Sequence, residues 1–191
     1  AHLHRHSKTW RRPPGFARKN WNVDTMVGTD GYWGDWKNAT GLTPHGQSVV
    51  SDSIDVIRKR LDRYGQDSSR FGLVHADLRL ANLLVENERL GIIDFDDCGF
   101  CWFAYDFAAA ISFHETDPGV RALQDHWVKG YRSVATFSEQ DEDELPTFIM
   151  LRRILLTAWL ATHEETPTGQ KLGGIYTDGT VKLAKDFLRR N

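Results

Sequence analysis

The chain has little of what would tie it to an oxidising compartment, a membrane or a nucleic acid. It holds 2 cysteines in 191 residues, too few to staple a fold of this size, so the expected setting is a reducing cytoplasm. The formal net charge is −2, from 24 Lys and Arg against 26 Asp and Glu. That balance leaves no electrostatic footprint for nucleic acid or an anionic lipid surface. The longest apolar run, Ile154 to Ala161, is too short to span a bilayer and follows Arg152-Arg153. No charged start with an apolar core marks a signal peptide, and there is no internal repeat or low-complexity tract. Partners of the nucleic-acid and membrane classes are therefore not expected.

What is present is ordinary for a globular protein: 40% hydrophobic and 26% charged residues, enough for one well-cored domain or one lobe of something larger. The chain opens Ala1-His2-Leu3-His4-Arg5-His6 without a Met. This reads as a helix entered part-way along, running to about residue 10 and stopped by Pro13-Pro14-Gly15. An alternating-His metal tract is the weaker reading, since no carboxylate or cysteine cluster accompanies it. Residues 15–46 are rich in Gly, Trp, Asn and Asp and lack periodicity. Trp21, Trp33 and Trp36 mark them as packed irregular structure. Val50, Ile54, Ile57, Leu61 and Tyr64 predict a helix over about 47–64, closed by Gly65. Further helices are expected at Tyr105–Glu115, around Val120–Val134, after Ser138, at 147–165 and at 178–190. Thr166-Pro167-Thr168-Gly169 reads as a breaker.

The densest signal lies between residues 71 and 107. Phe71 to Val74 is a short apolar strand. It leads into His75-Ala76-Asp77-Leu78-Arg79-Leu80-Ala81-Asn82, a His-x-Asp-x4-Asn pattern. Two β-compatible runs follow, Asn82 to Glu86 and Leu90 to Asp94, joined by Asn87-Glu88-Arg89, and they read as a hairpin. With the turn centred on Glu88, Asn82 is expected opposite Asp94, which brings two oxygen ligands to the open end beside the loop of Asp77. A carboxylate that can take a hydroxyl proton, next to oxygen ligands suited to Mg²⁺, is the equipment of phosphoryl transfer from ATP.

This stretch, with Ile93-Asp94-Phe95 and the later Tyr105-Asp106-Phe107-Ala108, resembles the aminoglycoside phosphotransferase and choline kinase superfamily of the protein-kinase-like fold. Homoserine-kinase-type enzymes and bacterial stress-response kinases belong to the same group. Ala76 after His75, where protein kinases usually carry Arg, and Ile-Asp-Phe-Asp-Asp in place of Asp-Phe-Gly favour it over ordinary protein kinases. The resemblance implies an α+β, mostly α-helical fold: the C-terminal lobe of a kinase-like enzyme spanning 1–191, with a small hairpin carrying the catalytic and metal loops. It implies Asp77 as base and Asn82 and Asp94 as ligands of Mg²⁺-ATP; Asp96 or Asp97 is read as reaching a second Mg²⁺ or a cationic substrate group, and equally as a solvated acidic turn. His75 and Asp106 are implied as structural support for the loop. Arg79 is read equally as a charge neutraliser at the transferred phosphate and as a surface ion pair.

The nucleotide-gripping lobe of such enzymes is not visible. No Gly-rich strand–loop–strand precedes His75 and no Lys stands in a Val-Ala-Ile-Lys setting. Gly28, Gly31 and Gly34 are flanked by Trp and Asp. The expectation is a catalytic lobe whose N-terminal partner lobe is absent from this chain and which is inactive alone. The acceptor is a small-molecule hydroxyl such as an aminoglycoside, homoserine or choline-like amino alcohol, and the runner-up acceptor is a protein Ser or Thr. Two other classes stay open: a non-catalytic scaffold, and a metal hydrolase using His75 and Asp77. Cys98-x-x-Cys101 reads as coincidence, Glu139 to Glu144 as a solvated helix start, and Glu164 or Glu165 as a minor candidate for facing a cationic acceptor.

Overall fold

Two Thr-Pro pairs start the longest helices of the chain. The computed structural model describes residues 1–191 except Glu88. Helix α3 (Pro44–Tyr64) begins at Thr43, whose side chain accepts from the Gly46 N–H, with Pro44 in the first turn. Helix α8 (Pro167–Leu188) begins the same way, with Thr166 accepting from Gly169 N–H. A proline at this position gives up an N–H that has no helical partner anyway. The expected starts at 47 and 178 were therefore too late: Thr166-Pro167 read as a breaker, and the first helix was begun only where its apolar period sets in. Helix α8 is kinked at Gly173, φ 24°.

The remaining elements are α1 (His2–Thr9), β1 (Lys19–Asn20), α2 (Val23–Val27), β2 (Phe71–Val74), β3 (Leu83–Glu86), β4 (Arg89–Ile92), β5 (Gly99–Trp102), α4 (Tyr105–Ala110), α5 (Val120–Arg132), α6 (Glu139–Asp143) and α7 (Leu145–Thr162). Short 3-10 turns lie at Trp36–Asn38 and Leu80–Asn82. Helix α4 is shorter than expected: Phe113, at φ 71°, lies in the turn beyond it. The fold is mostly helical, with a three-stranded sheet ordered β1-β5-β2 and a separate β3-β4 pair. The strands β1 and β5 are absent from the sequence reading, where Gly99–Trp102 was taken up by the Cys-x-x-Cys pattern.

Two compact units divide the chain: residues 1–21 with 66–145, and residues 22–65 with 146–191. In the first, β5 runs parallel to β1 and antiparallel to β2, with Lys19 beside Gly99 and Val74 opposite Gly99. Glycine is required at 99. A Cβ there would lie 2.6 Å from the Lys19 carbonyl oxygen and 2.8 Å from the Trp21 ring. The core behind the sheet is aromatic, built from Trp102, Phe103, Tyr105, Phe107 and Tyr131. Both cysteines are buried, and no disulfide joins them.

In the second unit α3 packs on α8, and Tyr64 meets Phe148 edge-on at 6.0 Å. Arg152 and Arg153, read in the sequence as flanking charges, are both buried. Arg153 donates to Thr180 Oγ1 and to the Tyr176 carbonyl, each at 2.8 Å, and its guanidinium lies 3.3 Å from the Tyr176 ring centre. Arg152 sits 4.9 Å over Trp33. These contacts offset the cost of burying charge. By length and composition alone the segment Glu139–Thr162 would cross a bilayer, which the broken run in the sequence did not show. Here 78% of its apolar window is buried inside the protein, as in a core helix.

Replacing Gly99 by Ala is expected to cost about 1–3 kcal/mol through overpacking, read as a lower urea midpoint with an unchanged slope.

Candidate functional site

The candidate site is assembled in the first unit by one strand end, one hairpin and one buried carboxylate. Strand β2 delivers His75, Ala76 and Asp77 in succession, and all three are buried. Ala76 takes φ 66°, a left-handed conformation that costs a non-glycine residue about 1–3 kcal/mol and persists only where neighbours fix it. Asp106, in the first turn of α4, does the fixing. Its Oδ1 accepts the Ala76 N–H at 2.8 Å and its Oδ2 accepts the His75 N–H at 3.3 Å. Oδ2 also takes the Nε2–H of His4 at 2.8 Å. Burial alone would raise the Asp106 carboxyl. The hydrogen bonds from His4 and the Ala76 N–H, with the nearby His75, outweigh burial and hold it below the usual carboxylate range.

His75 ties two loops together. Its Nδ1 accepts the Asp77 N–H at 3.3 Å, and its Nε2–H donates to the Ile93 carbonyl at 3.0 Å. Its ring lies 4.6 Å from that of Phe95. Asn82 gives its amide N–H groups to the Asp77 carbonyl at 2.8 Å and to Asp77 Oδ2 at 3.1 Å. Arg79 Nε donates to the same Oδ2 at 3.0 Å. Asp77 is therefore oriented through one oxygen by two donors. Arg79, left open between two roles by its position, forms an ion pair with the candidate base itself.

The hairpin register corrects one expectation. The pairs are Leu83 with Ile92, Leu84 with Gly91, Val85 with Leu90 and Glu86 with Arg89. The ladder continues through the Ile93 N–H, which donates to the Asn82 carbonyl at 3.1 Å. Asn82 thus stands opposite Ile93, and Asp94 lies one residue further on, where it is exposed with φ 63°. The connection holds two residues, Asn87 and Glu88, where the expected register assumed three. Asn87 takes φ 46°, which suits a tight two-residue turn. Glu88, the expected centre, lies outside the described residues.

Asp96 is exposed. Asp97 is engaged elsewhere, accepting from Lys19 Nζ at 2.7 Å, while its carbonyl accepts from Trp21 Nε1 at 2.8 Å. Among the described residues, no group of three or more His, Cys, Asp or Glu is gathered to hold a metal ion. Asp77, Asp94 and Asp96 therefore do not form a carboxylate cage. His126 and His163 each bond the carbonyl four residues earlier. Among the described residues, neither the hydrolase reading nor a His2-His4-His6 tract has a ligand set. Asn82 and Asp94 offer only oxygen, which suits a hard cation that keeps most of its waters. In the second unit, Glu164 accepts from the Thr40 hydroxyl.

Sequence reasoning missed three contributors. His4 reaches Asp106, and Tyr131 reaches His4, from sequence distances no spacing rule covers. The hairpin also exposes apolar side chains: Leu84 (53%), Val85 (76%), Leu90 (60%) and Ile93 (42%). Their unbroken apolar pattern, without a polar face, was the available signal.

Residues 1–143 match the phosphotransferase enzyme family, and the chain belongs to it. Among individual proteins, it is 24% identical over 157 residues to amicoumacin kinase of Bacillus subtilis (strain 168), covering 75% of this chain and 42% of that protein. The structure of a microcompartment-associated aminopropanol kinase superposes with a TM-score of 0.93 at 41% identity, covering 98% of this chain and 59% of the other. An amicoumacin kinase, hAmiN, in complex with AMP-PNP, Ca²⁺ and Ami has a TM-score of 0.70 at 22% identity, over 99% of this chain and 56% of the other. The chain thus spans about half the length of the relatives it matches.

Asp106→Asn is expected to destabilise the protein by about 3 kcal/mol at pH 7, because an amide turns one N–H toward donors. The Asp106 pKa is lower folded than unfolded, so its contribution is complete above the ordinary carboxylate range and fades as pH falls through the lower folded value. The gap between wild type and variant in urea unfolding should therefore close below about pH 4.

Proposed function

We propose that this chain is the catalytic lobe of an ATP-dependent phosphotransferase that phosphorylates a hydroxyl of a small amino alcohol in the cytoplasm. The observation that carries this reading is the Asp77 carboxylate, buried and oriented by Asn82 and Arg79, in a loop bonded to the Ile93 carbonyl immediately before Asp94. Asp77 accepts the proton of the attacking hydroxyl. The Asn82 amide oxygen is the atom left for Mg²⁺ once its nitrogen serves Asp77, and exposed Asp94 supplies the carboxylate. The cation would neutralise charge on the nucleotide's phosphates. Asp96 is placed for a second ion or a cationic group of the acceptor, and Arg79 for charge near the transferred group when its partly exposed side chain leaves Asp77.

The amino-alcohol acceptor is supported by the likeness to an aminopropanol kinase at 41% identity. The nucleotide grip is assigned to a lobe outside these 191 residues, in keeping with the 59% of that kinase which the chain spans. A protein Ser or Thr acceptor is the alternative, and autophosphorylation in the same assay would favour it.

The test is phosphate transfer from Mg²⁺-ATP to a panel of amino alcohols, using protein that includes the region upstream of Ala1. Asp77→Asn is expected to lower kcat by about 10²–10⁴-fold, and Asn82→Ala or chelation by EDTA to remove most turnover. Full turnover by Asp77→Asn would sink the assignment. The 191 residues alone are expected to show no turnover and only weak ATP binding by calorimetry; tight binding would place the grip inside this chain.

A further inference from the structure

Asp106 is held from behind by a chain of buried groups that the reaction does not touch. His4 lies on α1 and is 3% exposed, and Tyr131 lies on α5 and is 5% exposed. The Asp106 carboxylate only accepts, so His4 Nε2 carries the proton between them at 2.8 Å. That leaves Nδ1 to take the Tyr131 hydroxyl proton at 2.9 Å. The Tyr131 hydroxyl stays protonated: burial, then the charges of Asp106 and Asp141, push its pKa far up. Its ring is fixed in turn, 4.9 Å from Trp127 on its own helix and 4.9 Å from Phe137 beyond it. One face of His4 is closed by Phe103 at 4.8 Å.

We propose that Tyr131, acting through His4 and Asp106, is a positioning residue for the loop that carries Asp77. The chain runs Tyr131 O–H to His4 Nδ1, His4 Nε2–H to Asp106, and Asp106 to the N–H groups of His75 and Ala76. Its output is the left-handed backbone of Ala76, one residue before the base. Without the hydroxyl, the His4 ring loses one of its two fixed points and Nδ1 is left buried without a donor. Asp106 then has a wider range of positions, and the strained peptide it holds relaxes. The geometric half of this inference stands on the structure; the catalytic half rests on the phosphotransferase reading.

Amide hydrogen exchange on this chain separates the two. Tyr131→Phe removes only the hydroxyl. His4→Gln keeps an N–H for Asp106 but offers Tyr131 no ring acceptor. Each is expected to speed exchange of the Ala76 amide about tenfold, with the Leu155 amide of α7 unchanged, and the double variant to go no further than either single one. Three results would overturn the proposal: an unchanged Ala76 amide in Tyr131→Phe, equal acceleration at Leu155, or multiplied effects in the double variant. Wild type gives a check that needs no variant to fold, since an Ala76 amide exchanging as fast as that of Leu78 also overturns it. In the upstream-extended protein, Tyr131→Phe should lower kcat several-fold with KM for ATP unchanged. A loosened Ala76 with unaltered kcat overturns the catalytic role. Absence of turnover in wild type, with the exchange pattern as expected, sinks the phosphotransferase reading and leaves the relay standing.

Discussion

The fold of the site depends on one buried carboxylate. Asp106 is 1% exposed and accepts from two successive backbone N–H groups and one imidazole. Left unpaired, a charge at that depth would cost several kcal/mol. Paired, it holds Ala76 in a conformation that no local preference of alanine would select. The three donors come from α1 and from the end of β2, while the acceptor comes from α4. The carboxylate therefore joins three elements distant in sequence and makes the loop geometry a property of the whole unit. The sheet order has the same consequence: β5 lies between β1 and β2, so the strand that leads into α4 also pairs with the strand that leads into His75.

The geometry around Asp77 was partly legible in the sequence because the groups proposed for proton transfer and metal binding come from one local stretch. Asp77 and Asn82 are five residues apart and bond directly. Asp106 as the acceptor of loop N–H groups was readable from a carboxylate placed in an apolar helix start, where a free charge could not survive. Its other partners were not readable. His4 stood in a run read as part of a helix, with a metal tract as the weaker alternative, and Tyr131 looked like one more apolar position of α5. Contacts across 102 and 127 residues leave no periodic trace.

The errors in the element boundaries share a cause. Thr166-Pro167 was read for what proline interrupts and Thr43-Pro44 was passed over, when a preceding Thr that caps makes proline a start signal. The hairpin register failed by one residue for a comparable reason. Pairing in a hairpin is set by the loop, and a two-residue connection was mistaken for three. A slip of one normally turns every side chain to the other face. Here exposed apolar side chains lie on both faces, Leu84 on one and Val85 and Leu90 on the other, so the pattern held little information against the slip. A two-stranded ribbon is marginal by itself, and its exposed Val85 and Leu90 are surface that the proposed nucleotide-gripping lobe would account for.

Arg79 shows how little such a pairing needs to contribute to stability. Its side chain is 37% exposed against 9% for Asp77, and an ion pair with one partner in solvent is worth about 0–1 kcal/mol. The pair is therefore easily exchanged. With Asn82 still bonded to Asp77, the carboxylate keeps its orientation when Arg79 turns away. Loop backbone, Asn82 and Asp106 make the rigid part of the site, and Arg79 the movable charge. A lysine at 79 would retain the charge and lose the directed Nε–H that meets Oδ2. In the proposed reaction Arg79 would both orient Asp77 and neutralise charge, and a lysine at 79 would separate the two.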